Sequence, residues 1–190
     1  GVIEDLAPAT VKSLSANQFK ALTAAQLTAL TTDQLAVITA AQVGAVAVAK
    51  IGDLGVDIQA ISSTAISGLS SAQVAALTDL QVAALTTAQL SKLDAGDVLG
   101  FSTTDIAAFD LAKITAMTAA QLAAMTTAQI AAIDAADLSG LTAAEVKALT
   151  LAQIGALTPA QIAALSSVQV AAIDAADMKA LSSAQLEALT

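Results

Sequence analysis

The chain lacks most of the residue types on which catalysis and cross-linking depend. Its 190 residues include no cysteine, no histidine, no tryptophan and no tyrosine. The absence of cysteine excludes disulfides and thiolate metal sites, and the absence of histidine removes the commonest general base. Serine and threonine are abundant, but no base is available to activate their hydroxyls. We therefore expect a protein that is not an enzyme and that carries no cofactor.

Positive charge and long apolar runs are also scarce. The seven basic residues are all lysines, against sixteen acidic residues, for a net charge of −9. Binding to nucleic acid needs a basic surface, which seven scattered lysines do not supply. The mean hydropathy is high, at +0.76, yet polar residues recur too often to leave the run of about 20 apolar residues that a membrane span requires. The sequence predicts neither nucleic-acid binding nor membrane insertion.

An eight-residue repeat fills the chain instead. Position 1 is apolar, position 2 is Thr, Ser or Asp, position 5 is Gln, Asp or Glu, and position 6 is again apolar, as in residues 22–29. The frame covers residues 6–53, slips by one residue in a seven-residue unit at 54–60, and continues over 61–188. Such short-period repetition is typical of a repeat array rather than of a globular domain.

Each octad has the pattern of a helix start. A Thr or Ser followed three residues later by Gln or Glu is the capping box, and apolar residues on either side of it, at positions 1 and 6, form a hydrophobic staple. Pro8 and Pro159 both fall at position 3, the first helical position, where proline is favoured. A helix that restarts every eight residues has little more than one turn and needs its neighbours for stability. We therefore predict an all-α solenoid of single-turn helices.

Other regular architectures fit the period poorly. A continuous helix would turn its apolar residues around all sides, because two turns take about 7.2 residues rather than eight. A coiled coil needs a heptad or hendecad period. In a strand, positions 1 and 6 would point to opposite faces.

The pattern predicts one array over residues 1–190, with regular octads at 6–53 and 61–188 and an irregular junction at 46–68. In that junction the cap is lost at Ala47, and position 5 is Lys50 or Ala65. Lys113 breaks the rule in the same way, and we expect Lys50 and Lys113 to pair with an acid on the next turn. Leu189 and Thr190 begin a further octad, so we expect the parent array to be longer.

Three Asp-x-x-Asp pairs recur at intervals of 40 residues. Clustered carboxylates can bind Ca²⁺, but Asp at the N-cap and at the third helical position is also favoured by the helix dipole. We expect these acids to cap helices and to hold no specific ion. The interval reflects either duplication of five octads or a whole number of superhelical turns. The calcium candidates are Asp94, Asp97, Asp134, Asp137, Asp174 and Asp177.

Two resemblances add to this interpretation. Residues 157–165 resemble the first helix of a TAL-effector repeat, although the second helix and the base-reading residues of that repeat are absent. Across the chain, the Leu-Thr-x-x-Gln-Leu pattern is similar to repeat regions of very large bacterial secreted and cell-surface proteins. That resemblance implies an extracellular location and an extension or adhesion role.

These observations favour a structural function, as a stiff spacer or stalk in a larger secreted or surface protein. The alternative is a module for protein–protein binding or self-assembly. A solenoid exposes apolar faces at its ends unless capping units cover them, so we expect end-to-end self-association or a protein partner.

Overall fold

The computed structural model describes residues 2–189, and within them every regular element is a helix. Each octad, and the seven-residue unit as well, contributes one short helix. Thr190, the second residue of the incomplete octad, lies outside the described residues. The chain divides after Gly100 into two compact units.

In the first unit, the α-helices are Pro8–Ser13, Ala16–Lys20, Ala24–Thr28, Thr32–Leu35, Ala40–Ala45, Ser63–Ile66, Ser71–Val74, Asp79–Ala84 and Thr87–Leu90, and the 3₁₀ helices are Val48–Leu54, Val56–Ala60 and Asp97–Gly100. In the second unit, the α-helices are Thr103–Ala107, Leu111–Ala116, Ala119–Ala124, Thr127–Ala132, Ala135–Leu138, Ala143–Ala148, Leu151–Ala156, Pro159–Ala164, Ser167–Ala172 and Ser183–Glu187, and one 3₁₀ helix is Asp177–Ala180.

Most of the helices are short because a capping side chain starts the helix and the next apolar residue ends it. In Pro159–Ala164, Thr158 is the N-cap in an extended conformation, and Leu165 returns the backbone to an extended conformation after six residues. Pro159 takes the first helical position, as expected. The predicted all-α solenoid of single-turn helices is confirmed.

The core consists of the residues at positions 1 and 6. In the interior of the array these side chains are almost fully buried, as shown by Leu149, Ile154 and Leu157 at 4%, 1% and 3% exposure. Each buried aliphatic side chain contributes about 1.5–3 kcal/mol before entropy is subtracted. A single-turn helix therefore depends for its stability on packing against other turns of the superhelix.

Within each unit, every helix packs against the helix three repeat units later. Pro8–Ser13 packs on Thr32–Leu35 in the first unit, and Ala143–Ala148 packs on Ser167–Ala172 in the second. Hydrogen bonds from glutamine side chains to the preceding turn join residues 26 to 31 positions apart. One turn of the superhelix therefore takes between three and four octads. The interval of 40 residues between the Asp pairs is not a whole number of such turns, which favours duplication as its origin.

The irregular stretch predicted at 46–68 lies inside the first unit. Its first two helices, Val48–Leu54 and Val56–Ala60, are of the 3₁₀ type, and neither has a side-chain cap. Gly55 joins them with a φ of 65°, a conformation that glycine adopts readily because it has no Cβ. The Gly55 turn lets the array continue although this unit is one residue shorter than an octad.

Candidate functional site

The polar side chains at positions 2 and 5 form the capping box expected from the sequence. In the octad at 157–164, the backbone N–H of Thr158 donates to Gln161 Oε1 at 2.8 Å, and the Gln161 N–H donates to Thr158 Oγ1 at 3.1 Å. Within residues 2–189, fifteen helices carry the complete box. Their N-caps are Ser15, Thr23, Thr31, Thr39, Ser70, Thr78, Thr86, Ser102, Thr118, Thr126, Thr142, Thr150, Thr158, Ser166 and Ser182.

The glutamine of the box has a second role, which the sequence analysis missed. Gln161 Nε2 donates to the carbonyl oxygens of Ile130 at 2.9 Å and of Ile133 at 2.7 Å, both on the preceding turn of the superhelix. The side chain is buried at 1% exposure. The Gln161 Oε1 atom thus caps the helix that contains it, while Nε2 forms hydrogen bonds that hold this helix against the preceding turn.

The same arrangement repeats along both units, and we call it the glutamine ladder. Each member accepts with Oε1 from its N-cap N–H and donates with Nε2 to a carbonyl 26 to 31 residues earlier. No buried side-chain nitrogen or oxygen in residues 2–189 lacks a hydrogen-bond partner. The ladder includes Gln34, Gln42, Gln73, Gln81, Gln89, Gln129, Gln153, Gln161, Gln169 and Gln185.

A signal for the ladder was present in the sequence. A capping box accepts Glu as readily as Gln at its third position, yet position 5 is glutamine in most octads and glutamate in only one, at Glu145. Only the amide can donate a hydrogen bond. The preference for glutamine therefore indicates a second, buried acceptor that the octad itself does not contain.

Lys50 fills the place of a ladder glutamine. Its Nζ donates to the Leu22 carbonyl oxygen at 2.7 Å, 28 residues earlier, which is the spacing of the Gln161–Ile133 bond. The expectation that Lys50 pairs with an acid was wrong, because a carbonyl of the preceding turn is the nearer acceptor. Lys113 lies over the Phe109 ring, with Nζ 5.7 Å from its centroid, in a cation–π arrangement.

Asp105 and Glu145, carboxylates at position 5, complete capping boxes but cannot donate to the preceding turn. Glu145 Oε2 accepts from the Thr142 N–H at 2.7 Å. The carbonyls of Ile114 and Met117 stand 31 and 28 residues before it, the spacing that the Gln161 amide spans. Glu145 is thus a position where the ladder is interrupted.

We expect Glu145→Gln to stabilise the protein at neutral pH. The amide keeps the capping box and adds donors to the Ile114 and Met117 carbonyls, a gain of about 0.5–1.5 kcal/mol per hydrogen bond. Urea unfolding of the variant and the native chain measures the change. Glu187→Gln, which removes the same charge from an exposed residue that is not at position 5, is the control and should have no comparable effect. An equal gain in both variants would assign the effect to charge alone.

The three Asp-x-x-Asp pairs lie at helix starts. Asp134 Oδ1 accepts from the Ala136 N–H at 2.8 Å, and Asp174 Oδ1 accepts from the Ala176 N–H at 2.9 Å. In the first unit, the Asp97 N–H donates to the Asp94 carbonyl at 2.9 Å. Within residues 2–189, no three Asp, Glu, His or Cys side chains gather as a metal site. That these pairs bind no specific ion stays a prediction, and calcium-dependent melting abolished by Asp134→Asn would contradict it.

The environments of these carboxylates shift their pKa values in both directions. Burial, followed by the negative charges of Asp134 and Asp110, raises the pKa of Asp137 above its usual 3.8. Burial also raises the pKa of Asp97, against a hydrogen bond from the Ser71 backbone, and that of Asp177 beside Asp174. The backbone hydrogen bond from Asp177 lowers the pKa of Asp174.

Asp137→Asn should stabilise the protein at neutral pH. Because the folded-state pKa of Asp137 is raised, its ionisation destabilises the fold, and stability falls as the pH rises above about 3.8. Solvent screens this carboxyl, so the gain at pH 7 is about 0.2–0.5 kcal/mol, and it should vanish below pH ~3. Asp174→Asn should act in the opposite direction, since the pKa of Asp174 is lowered. Thermal melts across this range test both signs, and a gain for Asp137→Asn that persists in acid would contradict the assignment.

A family model described as the ALTTAQ repeat matches residues 56–87 and 130–167. Those six letters occur unchanged at residues 84–89, from position 8 of one octad to position 5 of the next. The second matched segment holds Gln161 together with both of its acceptors, Ile130 and Ile133. No curated protein matches the chain. The chain therefore contains a helical repeat region similar to the ALTTAQ repeat.

Among residues 2–189, no helix has both the length and the apolar character needed to cross a bilayer.

Proposed function

We propose that the chain is a non-catalytic structural segment, a stiff spacer within a larger secreted or cell-surface protein of a bacterium. The glutamine ladder is the observation that carries this proposal. It uses the most regular polar side chains of the array for internal hydrogen bonds, one end in a cap and the other in the preceding turn. A side chain whose polar atoms are all used in internal hydrogen bonds has a structural role. The hydrogen bonds between successive turns resist bending within a unit.

The composition supports the same function. Cysteine is absent, and the amino acids other than the core residues are mostly Ala, Ser, Thr and scattered charges. The resemblance to repeat regions of large bacterial surface proteins, together with the ALTTAQ repeat match, supports a repeat segment whose role depends on length. The extracellular location is part of the proposal.

Stiffness is measured by spin-label distances, which the cysteine-free sequence makes straightforward. Ala25, Ala120 and Ala160 are exposed at position 4 of their octads, so Cys substitutions there should leave the fold intact. The pair at 120 and 160 reports on the second unit alone, and the pair at 25 and 160 reports on the whole chain. We expect a narrow distance distribution for both pairs. A broad distribution for the longer pair would reject the stiff spacer.

The second candidate function is protein–protein binding or self-assembly. Large apolar side chains exposed within the array favour it, with Leu80 at 70% and Leu151 at 52% exposure. Sedimentation velocity over a range of concentrations tests this candidate. A mass that rises with concentration supports it, and a constant monomer mass at every concentration rejects it.

A further inference from the structure

The glutamine ladder has a gap at Ala65, in the interior of the first unit. Ala65 occupies position 5 of its octad and is buried, as the ladder glutamines are. Every other octad of the frame has a polar side chain at this position. The alanine side chain ends at Cβ, so it supplies neither the acceptor nor the donor of an amide. The group that it lacks relative to glutamine, a methylene carrying a carboxamide, has the size and chemistry of acetamide.

The gap leaves two backbone carbonyls without the amide that their position in the ladder calls for. One octad later, Gln73 Nε2 donates to carbonyls 30 and 27 residues before it, at 3.2 and 2.7 Å. The same spacings from Ala65 lead to Leu35 and Ile38, which are both buried. No donor in residues 2–189 bonds to either of these carbonyl oxygens. Because an unpaired buried carbonyl is costly, this place favours a donor from outside the chain.

The gap also leaves one backbone donor without its acceptor. In a complete box the N-cap N–H donates to the glutamine oxygen, as the Ser70 N–H does to Gln73 Oε1 at 2.9 Å. Ser62 is the N-cap of the helix that contains Ala65, and its Oγ accepts from the Ala65 N–H at 3.2 Å. Within the described part of the chain, the Ser62 N–H itself has no acceptor. The gap thus presents two acceptors and one donor.

A groove leads from the surface to this gap. Its volume is about 400 Å³, and its walls come from successive turns of the first unit, with Lys12, Ile38, Ser62 and Ala65 among the lining residues. A similar groove lies one octad later, where Gln73 is part of the lining. A side chain at position 5 therefore borders the groove, and where that side chain is only a methyl group, a small molecule can enter from solvent.

Close backbone contacts prevent the two turns from closing the gap. Beside it, an added Cβ at Gly68 would lie 2.7 Å from the carbonyl carbon and 2.8 Å from the Cα of Ala40. A Cβ at Gly44 would likewise lie 2.7 Å from the Gly68 carbonyl oxygen. These turns are already as near to each other as backbone atoms allow. The volume that a glutamine side chain would fill next to Ala65 consequently stays open.

We propose that this gap is a binding site for a primary carboxamide, and we define the carboxamide site by Leu35, Ile38, Ser62 and Ala65. The amide nitrogen of the ligand donates to the Leu35 and Ile38 carbonyl oxygens, and its oxygen accepts from the Ser62 N–H. A free small amide has this chemistry, and so does a glutamine or asparagine side chain of another polypeptide. The site goes beyond the spacer function, which requires no ligand.

The arrangement of donors and acceptors selects the amide over other small groups. A carboxylate has the same shape but cannot donate to the Leu35 and Ile38 carbonyls, and a ketone cannot donate either. An ammonium ion can donate to both carbonyls but cannot accept from the Ser62 N–H. A primary carboxamide alone among these groups satisfies all three partners.

An NMR titration of the ¹⁵N-labelled chain with acetamide tests the site. The Ser62 amide resonance should move along a saturable curve, with half-saturation at about 1–100 mM because so small a ligand gains little from binding. Acetone, a neutral molecule of similar shape that lacks the N–H donors, should bind at least about tenfold more weakly.

Two variants carry an extra amide and differ only in where it lies. Ala65→Gln fills the carboxamide site with the side chain of the ladder, so the response of Ser62 to acetamide should be lost. Ala160→Gln places the same side chain on an exposed residue of the other unit, and its response should equal that of the native chain. Circular dichroism checks that both variants are folded.

A second titration distinguishes the two sources of the ligand. N-acetylglutamine N-methylamide presents the carboxamide on a peptide backbone, and the corresponding glutamate compound presents a carboxylate. A saturable shift of Ser62 with the glutamine compound alone would assign the site to a side chain of another polypeptide. A shift with acetamide but with neither peptide compound would assign it to a free small amide.

Three results would overturn the proposal. Shifts that rise linearly with acetamide and spread over the whole chain would show that acetamide acts only as a cosolvent. Equal responses to acetone and acetamide would show that the two carbonyls do not bind the ligand, and this comparison decides the matter even if Ala65→Gln does not fold. A response that persists in folded Ala65→Gln would place the binding elsewhere. None of these results bears on the spin-label test of the spacer.

Discussion

Gln161→Ala should lower the free energy of unfolding by about 2–5 kcal/mol. The substitution leaves the Ile130 and Ile133 carbonyls, both in residues no more than 2% exposed, without their amide donor. It also removes the acceptor for the Thr158 N–H. Thr158→Ala removes the cap alone and should cost about 0.5–2 kcal/mol. Urea unfolding of both variants measures the difference.

Gln18→Ala is the matched control for the ladder. Gln18 has the same capping box as Gln161, but it is exposed and bonds to no earlier turn. Its loss should cost about 0.5–1.5 kcal/mol, the value of one net hydrogen bond. The excess for Gln161→Ala is then the contribution of the ladder. If Gln161→Ala and Gln18→Ala destabilise the monomeric chain equally, the contacts between turns contribute nothing to stability.

Gly68→Ala should be the most damaging small substitution in the first unit. A Cβ at this position would lie 2.7 Å from the carbonyl carbon and 2.8 Å from the Cα of Ala40, on the preceding turn. Because these atoms belong to the backbone, relief requires moving a turn of the superhelix. We expect a loss of about 1–3 kcal/mol or more, as for other overpacked sites. Gly100→Ala should behave alike, since its Cβ would meet Val74 and the Ala75 nitrogen.

Gly96→Ala is the control for this effect. No atom lies within 4 Å of the Cβ that it would add, so the change in stability should stay within about 0.5 kcal/mol. The urea midpoints of Gly68→Ala and Gly96→Ala give the comparison. Similar midpoints for the two would show that the turns separate easily, and that close approach at Gly68 does not restrain them.

The local features of the fold could be predicted from the sequence because they depend on residues within one octad. Thr158 and Gln161 are three residues apart, and Leu157 and Ile162 enclose them, so the cap, the helix start and the core positions follow from spacing alone. The irregularity of residues 46–68 could also be predicted, because Ala47 cannot cap a helix and the unit at 54–60 is one residue short. Its 3₁₀ helices and the Gly55 turn are the structural consequence.

Contacts between turns could not be predicted in the same way. The Gln161 amide reaches Ile130 only because between three and four octads complete a turn, and that number depends on the angle between successive helices. No single octad encodes this angle. For the same reason Lys50 was assigned an acidic partner, whereas its actual acceptor, the Leu22 carbonyl, depends on the size of the turn.

The glutamine ladder also bears on how a gene for such an array can change in length. Because each amide meets a backbone carbonyl rather than a particular side chain, the ladder itself does not determine which octad follows which, provided that the frame of eight is kept. Duplication or loss of octads that carry the glutamine leaves their caps and cross-turn bonds with partners, and the block of five octads that recurs here fits such an event. Even a slip of one residue is tolerated where glycine follows: past the seven-residue unit, Gln73 and Gln81 still reach carbonyls 26 to 30 residues earlier. The length of this protein can therefore evolve independently of its fold.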